Sequence, residues 1–104
     1  MKMLVITSVR EDMQLVTDIL QKSNIEVFSV SETIGHKASH QDYPLSNWFG
    51  RNDLATDALF FFSFTEDTKG EEAIKRAIEA NESKKKEFPV HAFLLPVDSS
   101  TYPL

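Results

Sequence analysis

Two histidines and a carboxylate, His36, His40 and Asp42, lie close together in the chain. Imidazole nitrogen with carboxylate oxygen is a donor set for zinc, nickel or copper(II). Two histidines four apart converge on one ion only across a helical turn. The surrounding residues carry no helical period, so solvated loop histidines are the alternative reading. His91 stands beside apolar residues and reads as a strand histidine. Tyr43, Trp48 and Phe49, with Arg51 nearby, are the residue types of interface hot spots. The alternative is that Trp48 and Phe49 pack back onto their own subunit or its neighbour. Lys84, Lys85 and Lys86 offer point charges for a phosphate; a solvated helix end favoured by the dipole is the plainer reading. Glu66 and Asp67 adjoin a helix start and read as caps. There is no G-x-S-x-G, H-E-x-x-H or P-loop, and no catalytic residue is assigned.

These groups sit on a chain of 104 residues, enough for two helices on one sheet and little else. A hydrophobic share of 41% and a charged share of 26% suit a globular domain rather than a disordered one. The net charge of −5 argues against non-specific nucleic-acid binding and against docking on anionic lipid. With no cysteine, disulfide, thiolate and zinc-ribbon chemistry are excluded. The N-terminal apolar run Met3–Ile6 is too short for a signal peptide, and no stretch is long enough to span a membrane. The expectation is a cytoplasmic protein without membrane insertion.

The β-branched run at 3–9 predicts a first strand. Ser8-Val9-Arg10-Glu11 has the form of a capping box, and Met13, Val16, Ile19 and Leu20, widened by Leu15, predict a helix over 10–23. Ser23-Asn24 ends it. Residues 25–34 alternate as a second strand, which Gly35 breaks. Residues 35–54 read as a long loop, a kind of segment that is often functional. A third strand covers 55–65. Thr68-Lys69-Gly70-Glu71 is a second capping-box pattern, and Ala73, Ile74, Ala77 and Ile78 predict a helix over 69–82. Residues 90–97 predict a fourth strand. The order β-α-β-β-α-β predicts an α+β, ferredoxin-like sandwich as a single domain over 1–104, its two helices on one face of a four-stranded antiparallel sheet.

A sheet with helices on one side and water on the other alternates apolar and polar residues. Three of these strands do not. Met3 and Val5 oppose Leu4 and Ile6; Phe60, Phe62 and Phe64 oppose Leu59 and Phe61; Val90, Ala92 and Leu94 oppose Phe93, Leu95 and Val97. Two helices cover one face only, so the second apolar face predicts an oligomer. The alternative is that the tail and the long loop fold back over it.

The order of elements, the long loop opening at Gly35 and the end of the last strand, Phe93-Leu94-Leu95-Pro96-Val97, resemble the PII signalling proteins and their PII-like relatives, over most of residues 2–98. The resemblance implies a homotrimer whose sheets pack around a threefold axis. It also implies that the 35–54 loop docks a protein partner, with a membrane transporter as one partner class. A small ligand, usually an adenine nucleotide, would sit between subunits at the foot of that loop. Gly35 carries over; His36 and Lys37 beside it, with Lys84 and Lys85 after the second helix, are the other ligand candidates. The family's Gly-rich turn after the second helix is replaced here by Asn81 to Glu87 without glycine, and its basic C-terminal segment by Ser99 to Leu104. The partner candidates are Tyr43, Trp48, Phe49 and Arg51. Trimers of the CutA type, linked to divalent metals, are the next resemblance, with His36, His40 and Asp42 as metal candidates. A small dimeric ferredoxin-like enzyme is the third possibility.

Overall fold

The computed structural model describes residues 1–36, 55–84 and 88–102. The elements run β1 (Lys2–Val9), a short 3-10 turn (Arg10–Asp12), α1 (Met13–Lys22), β2 (Ser29–His36), β3 (Ala55–Thr65), α2 (Asp67–Lys84) and β4 (His91–Pro96). The four strands form one antiparallel sheet in the order β2-β3-β1-β4. The fold is α+β.

The core lies between one sheet face and both helices. Leu4 and Ile6 of β1, with Leu59 and Phe61 of β3, meet Val16, Ile19 and Leu20 of α1 and Ala73 and Ala77 of α2. The small Ala73 and Ala77 let α2 lie close to the sheet. Gly70 takes this further: a Cβ there would stand 2.5 Å from Leu94 Cδ1 of β4. Met13 and Ile78, expected on the helical stripes, are exposed instead. Each lies at the margin of its stripe, beyond the reach of the sheet.

Local chemistry explains where the boundaries depart from expectation. Ser8 does not cap α1. It is a buried β1 residue paired with Leu59, and its hydroxyl donates to the Val9 carbonyl. The strand therefore runs through the expected cap, and a 3-10 turn intervenes before the helix. The second capping box fails because α2 begins at Asp67, which places Thr68 inside the first turn. The Gly70 N–H donates to the Glu66 carbonyl at 3.0 Å.

The end of α1 follows the expectation at Ser23-Asn24. Asn24 takes the left-handed conformation, φ 62°. The Ile25 N–H donates to Leu20 and the Asn24 N–H to Gln21. This is the Schellman arrangement, in which Asn tolerates the left-handed position and the following apolar residue packs back. Ile25 is drawn into the core, so β2 starts at Ser29 rather than at 25. Gly35 does not break β2: it pairs with Thr56, and pairing continues to His36 and Ala55. Glycine supplies the same backbone donor and acceptor as any strand residue, so the connection to β3 opens after His36.

Candidate functional site

Register places Met3, Val5 and Thr7 of β1 on the face away from the helices. Their β3 partners are Phe64, Phe62 and Phe60, and their β4 partners Leu95, Phe93 and His91. Three rows therefore cross β3, β1 and β4, and a fourth, Ala58 with Val9 and Thr33, lies beyond the start of β4. Phe64, Met3 and Leu95 form the first. Phe62, Val5 and Phe93 form the second, extended on β2 by Ser29. Phe60, Thr7 and His91 form the third, extended by Ser31. The first two rows are apolar but for Ser29; the third is largely polar. The three phenylalanines of β3 form a ladder, with ring centroids 5.9 Å apart between Phe60 and Phe62 and 6.4 Å between Phe62 and Phe64. Rings in these tilted and edge-on arrangements stabilise one another beyond their buried area.

The face is graded along the strands. Phe64, Phe93 and Leu95 are exposed, Met3, Val5, Phe60 and Phe62 are half-buried, and Thr7 is buried. Beside Phe64 lies an open groove of about 900 Å³, lined among others by Met1, Val27, Phe64, Glu66, Lys69 and Tyr102. It exists because β2 leaves the sheet early. Ser29 pairs with Phe62, so Ser63, Phe64 and Thr65 have β1 on one side and, among the described residues, no strand on the other. The chain before β2 steps back toward the helices and is held there by the Ser63 hydroxyl, which donates to the Val27 carbonyl at 2.6 Å.

The opposite end of the sheet carries the foot of the β2–β3 connection. Gly35 is buried in β2, and His36 makes the last pair with Ala55. Lys84 closes α2, whose direction brings it to this same end. Three of the ligand candidates thus share one end of the domain. Lys37, His40, Asp42, Tyr43, Trp48, Phe49, Arg51 and Lys85 lie outside the described residues. Among the described residues no group of three His, Asp or Glu side chains could hold a metal ion, and no helix is long and apolar enough to cross a membrane.

Among the described residues at this end, Arg10 of the 3-10 turn makes an ion pair with Glu32 of β2. The hydrogen bond and charge of Glu32 raise the Arg10 pKa, and Arg10 in turn holds the Glu32 carboxyl below the usual carboxylate range. Both groups are exposed, so solvent screens the pair. Partial burial pushes the His91 imidazole below its ordinary value. His91 begins β4 rather than lying mid-strand.

One device has no simple sequence signal. The Asn81 side chain donates to the Val90 carbonyl and accepts from the Val90 N–H, both at 2.9 Å. It ties the end of α2 to the start of β4 and satisfies the backbone of a buried residue.

No family model matches this chain, and no curated protein matches it.

Proposed function

We propose that the chain is a PII-like regulatory module. In this reading it is a ferredoxin-like subunit that assembles as a homotrimer through its open sheet face. It binds a small ligand between subunits and docks a protein partner, a membrane transporter being one class, through the 35–54 connection. One observation carries the proposal: on the sheet face turned away from the helices, two of the three rows that cross β3, β1 and β4 are apolar. Such a face is stabilised by covering it, at roughly 1.5–3 kcal/mol for each large apolar side chain fully buried. The strand order β2-β3-β1-β4 supports the reading of a ferredoxin-like subunit. The trimer, the ligand and the transporter come from the resemblance.

Light scattering at micromolar concentration tests the assembly. The expected mass is three times the 11.8 kDa of one chain. A single-chain mass overturns the proposal, and a two-chain mass favours the dimeric-enzyme alternative. On the same sample, a thermal screen with ATP, ADP, cyclic dinucleotides and divalent metals tests the ligand. A ligand that binds only the folded state raises the unfolding temperature. A rise with nucleotides and not metals favours the PII-like reading; the reverse favours the CutA-like one. Deleting residues 40–50 tests the docking segment: every captured partner remaining bound would overturn that role.

A further inference from the structure

We infer that the groove beside Phe64 docks an extended peptide segment of another protein, one that carries an apolar residue flanked by basic ones and adds as a short strand to the edge of β3. The site is separate from the 35–54 connection. It goes beyond the function proposed above and does not depend on it.

The backbone sets the shape of the occupant. Pairing between β2 and β3 stops at Ser29 and Phe62. From Ser63 to Thr65, β3 pairs with β1 on one side, and among the described residues no backbone hydrogen bond leaves its other side. The chain before β2 does not close this edge. Ile25 is drawn into the core, and the Val27 carbonyl accepts from the Ser63 hydroxyl. The groove of about 900 Å³ lies where the next residues of a neighbouring strand would run, and its size is within the roughly 300–1,000 Å³ of small-ligand sites. An unpaired strand edge is a template for another chain. Extended peptides use such edges through main-chain bonds and gain specificity from alternate side chains.

The walls set the side chains. An occupant residue opposite Phe64 points to the same face and makes a cross-strand pair with it. Phe64 is 56% exposed, so an apolar residue there removes its ring from water. Val27 and Tyr102, also lining the groove, are 84% and 67% exposed. The charged lining residues are Glu26, Glu66 and Lys69. Among the described residues none of the three makes an ion pair. Two carboxylates against one ammonium favour a basic partner. A second copy of this chain meets that demand poorly. Its sheet-edge strands β2 and β4 contain no Lys or Arg, and its net charge is −5. Strand addition also runs in the plane of the sheet, so it is compatible with subunits stacked on the open face.

The probe is a fluorescein-labelled, amidated peptide of sequence Lys-Thr-Ile-Thr-Lys, followed by anisotropy and by two-dimensional amide NMR of the full chain. Saturable binding below about 1 mM is expected, with the largest amide shifts at Ser63, Phe64 and Thr65. At least a tenfold loss of affinity is expected when glutamates replace the lysines, and again when the three central peptide nitrogens are methylated. The double variant Glu26→Lys with Glu66→Lys is expected to lose the lysine peptide and to prefer the glutamate one; both residues are exposed, and circular dichroism checks that the fold is kept. Absence of saturable binding would overturn the inference, as would binding that neither methylation nor charge reversal changes. Shifts of the same three amides on concentrating the chain alone would give the edge to a second copy and overturn it too. The expected peptide binding by chains at single-chain mass would uphold this inference while the assembly proposed above falls.

Discussion

The two faces of the sheet are built from the same kinds of residue and live in different surroundings. Leu4, Ile6, Leu59 and Phe61 are buried under two helices; Val5, Phe62, Phe93 and Leu95 alternate with their like along the same strands and lie open or half-open. The covered face stabilises the single chain. The open face stabilises it only when something else covers the sheet. The difference teaches that apolar alternation marks where water is unwelcome without saying what excludes it.

The sharpest way to break that comparison is to truncate adjacent phenylalanines. Phe61→Ala removes a side chain exposed by only 1% and is expected to cost about 3–5 kcal/mol. Phe62→Ala, half-buried on the other face, is expected to cost about 1 kcal/mol within one subunit. Urea titrations at two protein concentrations separate the effects. F61A lowers the midpoint equally at both, whereas F62A lowers it mainly at the higher one, because assembly stabilises by mass action. Equal losses at low concentration would mean that the two faces do not differ as described.

A smaller effect is expected at Asn81, which closes the covered side. Asn81→Ala removes two hydrogen bonds and strands the backbone of buried Val90, an expected loss of about 2 kcal/mol. Asn81→Asp still accepts from the Val90 N–H but cannot donate to its carbonyl when ionised, so it is expected to recover part of the loss. Chemical denaturation of both variants checks the ordering.

This contrast also marks how much was legible. The third strand matches its expected bounds, 55–65, because a run of aromatic and β-branched residues has one good conformation. The two-faced pattern needed only the alternation rule. The start of β2 was not legible: Ile25-Glu26-Val27-Phe28 alternates like a strand, but the helix-ending turn at Asn24 pulls Ile25 into the core. Both capping boxes misled for a related reason. The four-residue motif is local, while the pairing of Ser8 with Leu59 and the start of α2 at Asp67 are set by the sheet and the helix packing. The groove was invisible for the same cause, since it forms where β2 leaves the sheet and the tail returns to bring Tyr102 alongside.

On the open face, His91 gives the next smaller effect. Its pKa is lowered by burial, so the unfolded chain binds a proton more readily than the folded one. Its contribution is fully present above the unfolded value near 6.5 and is lost as pH falls from there toward the depressed folded value. Thermal midpoints at pH 7.5 and 5.5 are expected to differ less in His91→Gln than in the parent. An unchanged difference would show that protonating His91 does not load this face.

The least effect is expected where the helix cover runs out. Glu32 pairs with Leu59 and Ile34 with Asp57, which puts Glu32 and Ile34 on the helix side of the sheet, yet both are exposed. Among the described residues the helix cover therefore ends near the Leu59 row, and the Arg10–Glu32 pair spans the rim beyond it. Because Arg10 depresses the Glu32 carboxyl, the pair contributes above the ordinary carboxylate pKa and is lost as pH falls through the lowered one. Exposed ion pairs are screened by salt and hold little stability. Glu32→Gln is expected to shift the neutral-pH unfolding temperature only slightly, and the shift is expected to vanish in 1 M sodium chloride, a concentration at which the Debye length is about 3 Å. A large, salt-insensitive loss would mean that this rim is packed like the core, and the boundary between covered and open sheet would have to be drawn beyond it.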